Sequence, residues 1–400
     1  MVRYYHWVWT IILYGWISIY ISRIALTPAL PLIMNELNLN YAQGGFLASS
    51  FFFAYTSMQP LAGYLGDRFG RKLILSLGGL IWTLSTFLIS LSNSFWQIFF
   101  LRLLTGIGQG TYFSNDRSLI AHYTPKDKLG LGLGLSFTGL GLGFGISVIF
   151  GGFLAELLGW RNLFLIYSIP SLVTIILFLS LIKEPSKKDY NSKTQSLSKW
   201  ILLKDKNLWI IYLAGISPIY TQWVLATWAP IMFLELGEKD LGLASAYTSV
   251  FGFSIFGMAL SGSLSDRVMQ RGKGRKYVTL LYMSLLVIML FFLTLILSFK
   301  WPLWTLIIGI FFTGFFMWGC WSPIFAYLAE RVPSELRGLA YGLLNAFNFI
   351  GSVIAPWSTG LIRDLTGSFI HGLSFSALLV IVSLFLVSRL SNSTNLREVN

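Results

Sequence analysis

Twelve long apolar runs constrain this chain more than any other feature. They lie at about 7–33, 42–66, 73–92, 95–121, 129–156, 160–182, 208–234, 242–264, 277–298, 302–328, 337–363 and 370–390. A helix crosses the hydrocarbon core of a bilayer with about 20 apolar residues. Backbone in lipid must bond its own N–H and C=O groups, so runs of this length predict helices. The expected fold is an all-α membrane protein of twelve transmembrane helices. Of 400 residues, 55% are hydrophobic and 11% charged, against about 25% charged in soluble domains.

The formal net charge of +13 raises the question of a nucleic-acid partner. The placement of the charges answers it. Connections after even-numbered runs hold 19 of the 29 Lys and Arg; those after odd-numbered runs hold only Arg161, Lys239, Lys300 and Arg363. That asymmetry is the positive-inside pattern. It predicts a multi-pass protein of the plasma membrane with both termini cytoplasmic, and it explains the basic excess without nucleic acid. Cys320 has no second cysteine to pair with. The first run lacks a small-residue cleavage site and is too long for a signal peptide, so a retained helix is expected.

The segment 183–207, "KEPSKKDYNSKTQSLSKWILLKDKN", is the one long polar stretch. It predicts a six-helix unit at 1–182, a cytoplasmic linker at 183–207, and a second six-helix unit at 208–400 with a short cytoplasmic tail. The halves echo each other. "GYLGDRFGRK" (63–72) and "GSLSDRVMQRGKGRK" (262–276) place Asp67 and Asp266 199 positions apart; Pro125 and Pro333 stand 208 apart. Tyr20, Arg23 and Thr27 form one helical stripe, and Tyr220, Trp223 and Thr227 repeat its spacing 200 positions later. Such repeats are the mark of secondary transporters, with substrate near the membrane midplane.

The interior charges sharpen this. Arg23, Arg102, Asp116 and Arg117 are the charges deep in the runs. A cation there costs at least about 2.5–3.5 kcal/mol on insertion scales and needs an anion, carbonyls or water. Asp116 cannot neutralise three arginines, so the missing anion is expected to be the substrate. A guanidinium grips carboxylate or phosphate through a two-pronged fork. The alternative for Arg23 is a structural arginine bonded to helix carbonyls or tyrosines. Seven residues turn a helix by about 700°, so Arg102, Gln109 and Asp116 share one drifting stripe. Asp116, with Arg117 beside it, is a candidate carrier of a coupling proton; a static salt bridge is the alternative. Tyr20, Thr27, Tyr220, Gln222, Trp223, Thr227, Asn345 and Asn348 are candidate polar wall residues.

Over nearly its whole length the chain resembles the major facilitator superfamily. Gly63, Leu65, Asp67, Arg68, Gly70, Arg71 and Lys72 follow that family's loop 2–3 signature, and "RLLTGIGQG" (102–110) its helix-4 pattern. The resemblance implies two pseudo-symmetric six-helix bundles working by alternating access. It makes Gly63, Asp67, Arg68 and Arg71, with Asp266 and Arg267 in the repeat, gating residues, and Arg102 a second anion contact. Within the family, "YISRIALTPALP" (20–31), "GWRNLFLI" (159–166), "WVLATWAPIMF" (223–233) and "RGLAYGLLNAFNFIGSVIAP" (337–356) resemble the anion:cation symporter branch, which includes sugar-acid transporters. That branch often has acids where this chain has Ser22 and Gln109, and they are associated with proton coupling. Ser147-Val148 stands where drug antiporters have Gly-Pro.

No H-E-x-x-H, G-x-S-x-G or phosphate-loop motif occurs, so neither an enzyme nor ATP-driven transport is expected. The glycine-rich run at 130–145 has no strand before it and reads as helix packing. The expectation is a monomeric transporter of a small organic anion, a carboxylate or sugar acid, without a cofactor but with a proton or sodium ion as coupling partner. A permease for a neutral sugar, or a drug exporter, is the alternative.

Overall fold

The computed structural model describes residues 3–125, 128–184, 201–333 and 336–391. Most of the linker expected at 183–207 lies outside the described residues. Each apolar run is helical. In chain order the helices are α1 (Tyr4–Ile24, continuing as Leu26–Glu36), α2 (Tyr41–Phe69), α3 (Arg71–Ile89), α4 (Phe95–Gly110 and Tyr112–Tyr123), α5 (Leu129–Leu158), α6 (Trp160–Leu181), α7 (Lys206–Ala214 and Ile216–Glu235), α8 (Leu241–Thr248, Val250–Phe253 and Phe256–Gln270), α9 (Lys276–Phe299), α10 (Leu303–Gly319 and Trp321–Arg331), α11 (Arg337–Asn348 and Ile350–Thr366) and α12 (Ile370–Ser388). A single turn, Ile201–Lys204, precedes α7.

Several breaks have a visible cause. Proline lacks an N–H and frees the carbonyl four residues earlier. Pro28, Pro218 and Pro323 stand three residues beyond the breaks at Ala25, Gly215 and Cys320. The carbonyl that Pro218 leaves at Ala214 accepts from Ser217 Oγ at 3.4 Å.

Among the described residues, ten helices are long and apolar enough by length and composition to cross a membrane; α2 and α4 fall short of that apolarity. These two carry much of the buried polarity: Ser49, Ser50 and Gln59 on α2, and Arg102, Thr105, Gln109, Thr111, Asn115 and Asp116 on α4.

By internal contacts the chain divides into two units, Met1–Ser192 with Glu238–Ser249, and Lys193–Gly237 with Val250–Asn400. In the first unit, small residues let helices close up. A Cβ on Gly108 of α4 would come within 2.6 Å of the Gly78 carbonyl oxygen on α3 and 2.7 Å of the Trp82 nitrogen. The glycine-rich run serves α5: Gly132, Gly139 and Gly143 lie against Trp9, Trp16 and Tyr20 of α1, and Ser147 Oγ donates to the Ile21 carbonyl at 2.9 Å. In the second unit, Asp205 caps the start of α7, accepting from the nitrogens of Asn207 and Leu208 at 2.7 and 3.0 Å.

These contacts set a stability prediction. Gly108→Ala forces the α3–α4 crossing apart and lowers stability by about 1–3 kcal/mol, the usual cost of overpacking. Gly134→Ala, where nothing lies within 4 Å of the added carbon, leaves it unchanged or slightly raised. Thermal unfolding of both variants in detergent checks the contrast.

Candidate functional site

Arg23 ends the first segment of α1 just before the break, and it is only 2% exposed. Its Nε donates to Gln109 Oε1 of α4 at 3.1 Å. Its guanidinium carbon lies 4.5 Å from the Tyr55 ring centre, 4.8 Å from Tyr20 and 5.2 Å from Phe51. Aromatic faces support a cation by about 2 kcal/mol or more when water is excluded. Arg23 Nη2 is buried with no hydrogen-bond partner.

Arg102, also 2% exposed, stands beside it. Its Nη1 donates to the Arg23 carbonyl at 3.4 Å, its guanidinium lies 4.7 Å from the Phe51 ring centre, and its Nε is buried without a partner. Phe51 therefore touches both guanidiniums. Among the described residues, neither arginine forms an ion pair with a carboxylate.

Gln109 joins the two helices. While its oxygen receives Arg23, its Nε2 donates to Ser22 Oγ at 2.9 Å and to the Ile19 carbonyl at 3.3 Å. Ser22 and Gln109 thus meet across α1 and α4, and both are neutral.

Asp116 lies seven residues further along α4, roughly 10 Å by helix rise. It is fully buried. Its Oδ2 accepts from Trp16 Nε1 at 2.7 Å and Arg117 Nη2 at 2.9 Å, and its Oδ1 from Arg117 Nε at 3.2 Å. Arg117 also donates to the Leu133 carbonyl of α5 at 3.2 Å. The carboxylate is thus engaged by its neighbour and by an indole rather than by Arg23. Thr27 is buried.

In the second unit, Tyr220, Gln222, Trp223, Thr227 and Asn348 are buried and Asn345 is half-buried. The Tyr220 hydroxyl bonds Ser358 Oγ at 2.7 Å. Gln222 Oε1 and Asn348 Oδ1 are buried with no hydrogen-bond partner.

The loop 2–3 cluster is built differently. Asp67 pairs with Arg71 one turn on. Arg71 Nη1 donates to the Ser114 carbonyl at 3.4 Å, and Gly63 faces Ser114 at van der Waals distance. Arg68 is exposed and donates to the Tyr64 hydroxyl at 3.2 Å. Glu184, just past α6, accepts from the nitrogens of Arg71 and Lys72 at 2.8 and 2.7 Å, capping α3. The second unit repeats the device with Arg275, which bonds Asp266 at 2.7 Å and Glu330 at 2.8 Å; Arg267 is exposed. Burial opposes the Arg275 charge, but the Glu330 and Asp266 carboxylates outweigh it and raise its pKa above the ordinary arginine value.

Several partners escaped sequence reasoning. Phe51 and Tyr55 are aromatics in an aromatic-rich run, and only their spacing of four hinted at a shared face. Glu184 is the first acid after α6 and could have been suspected as a cap. Arg331, counted with the cytoplasmic charges, is buried and forks onto Asp205 at 2.7–3.1 Å.

The sequence model of the Major Facilitator Superfamily matches residues 12–356 and 274–397. The chain is 26% identical over 391 residues to the probable galactarate/D-glucarate transporter of Bacillus subtilis, covering 89% of this chain and 85% of the relative. It is 25% identical over 365 residues to the hexuronate transporter of the same organism, covering 88% and 86%. Its fold matches the crystal structure of a D-xylose-proton symporter with a TM-score of 0.82 at 16% identity, over 98% of this chain and 100% of that one.

The Asp116 environment yields a second prediction. Removing the Arg117 side chain leaves a buried carboxylate without its cation, which costs about 3–5 kcal/mol. Arg117→Gln therefore lowers the melting temperature strongly, and Asp116→Asn added to Arg117→Gln recovers most of it. Unfolding of the single and double variants in detergent measures both steps.

Proposed function

The chain belongs to the Major Facilitator Superfamily, and from that premise we propose that its cargo is a small organic anion of the sugar-acid class. It is a membrane transporter and not an enzyme. One observation carries the choice of cargo: two buried guanidiniums, Arg23 and Arg102, share an aromatic wall, each keeps a nitrogen without a partner, and among the described residues neither has a carboxylate. A carboxylate presented to this wall would receive a charge-assisted fork from Arg23, with Arg102 as second contact. The relatives named for galactarate, D-glucarate and hexuronate transport support the same chemistry.

In this reading Tyr20, Thr27 and Gln109 shape the wall of the first unit, and Tyr220, Gln222, Trp223, Asn345 and Asn348 supply polar groups from the second. Transport proceeds by alternating access between two six-helix bundles, 1–182 and 208–400, with Asp67, Arg68, Arg71, Asp266 and Arg267 at the gates. A monomer in the plasma membrane with cytoplasmic termini fits the charge distribution.

Purified protein in liposomes preloaded with unlabelled acid tests this. Labelled galactarate, D-glucarate or hexuronate enters saturably, D-xylose does not, and Arg23→Gln lowers sugar-acid uptake at least about tenfold, as expected for losing a charged hydrogen bond. Uptake of D-xylose instead, indifferent to Arg23→Gln, would replace the anion by a neutral sugar.

A further inference from the structure

We propose that this transporter is an anion exchanger: it takes up one organic anion only as it releases another, and neither a proton nor a sodium gradient drives it. The inference rests on the anion reading above.

The juxtaposition of Ser22, Arg23 and Gln109 carries it. A carboxylate at position 22 or 109 would neutralise Arg23 in the empty carrier. By taking up a proton it would then free Arg23 for the substrate, which couples proton movement to transport. A hydroxyl and an amide do neither. Here the amide of Gln109 is held by Arg23 Nε, Ser22 Oγ and the Ile19 carbonyl. It orients the guanidinium and leaves its charge intact.

Among the described residues, no carboxylate is paired with either guanidinium. Of the chain's 16 Asp and Glu, only Asp116 lies well inside a span. Its oxygens are taken by Trp16 and Arg117. Among the described residues of the first unit, the titratable groups placed against the two guanidiniums are the phenols of Tyr20 and Tyr55 and the arginines themselves. None of these is a carboxylate.

The empty carrier must therefore reorient with two buried, uncompensated cations, which is unfavourable. A dicarboxylate such as galactarate on the two guanidiniums compensates both charges and allows reorientation. A carrier that moves only when loaded returns only with a second anion. The exchange is one anion for one anion, and no net charge crosses when the two carry equal charge.

The test uses the full chain in liposomes and labelled galactarate. Vesicles are either preloaded with unlabelled galactarate or left free of organic anion, each with and without an inward proton or sodium gradient. Preloaded vesicles are expected to take up label at least about tenfold faster, the rate ratio for about 1.4 kcal/mol of barrier, and the gradients should leave this unchanged. Uptake into anion-free vesicles driven by either gradient, or equally fast without one, overturns exchange. Gln109→Glu and Ser22→Asp should each create proton-driven uptake into anion-free vesicles. If both fold, carry label and remain strict exchangers, the assigned cause is wrong. If the detergent-purified protein binds none of galactarate, D-glucarate and hexuronate in equilibrium dialysis, the anion reading falls and takes exchange with it.

Discussion

Arg23 holds a full charge in a layer where charge is expensive, and much of the first unit is arranged around that fact. Three aromatic faces surround the guanidinium, one amide fixes its Nε, and among the described residues no carboxylate pairs with it. The rings lower the cost of burial and leave the hydrogen-bonding edge open. A salt bridge would have lowered the cost further and closed that edge. On the proposed reading, that difference would separate an arginine that braces a bundle from one that receives an anion.

The helix packing serves this geometry. Small residues along α5 bring it close to one side of α1, while Gln109 of α4 ties the other side through Ser22 and the Ile19 carbonyl. Glycines on α4 let α2 and α3 approach closely, and α2 delivers Phe51 and Tyr55 to the guanidiniums. The two helices with least apolar character, α2 and α4, thus supply the site's walls, and their polarity follows from what they face. Buried charge elsewhere is paired instead: Arg117 with Asp116, and Arg331 with Asp205. Against these pairs Arg23 and Arg102 stand out.

The helices were legible because the bilayer imposes a length and an apolarity that any chain must write openly. Arg23 and Arg102 were legible for the same reason, since a charge in such a run has no cheap explanation. The seven-residue spacing also placed Gln109 on the stripe of Arg102. Partners were harder. Phe51 and Tyr55 look like any other apolar residue of α2, because a ring that packs on lipid and a ring that packs on a cation share one composition. The departures at Ser22 and Gln109 were visible singly; that they touch each other and jointly set the environment of Arg23 needed the third dimension. The helix breaks at Thr111 and Phe349 have no proline just beyond them, unlike the one at Ala25.

We propose that Arg23 is a ligand of an organic anion rather than a brace. The most direct measurement of this is the thermal stability of the purified protein with and without galactarate or hexuronate, for wild type and Arg23→Gln. Binding to the folded state alone stabilises by about 2.7 kcal/mol at a hundredfold excess over Kd. The account predicts a clear rise in melting temperature for wild type with the anion and none for Arg23→Gln at the same concentration. An equal rise in both proteins would show that the anion binds elsewhere and that Arg23 holds the helices together.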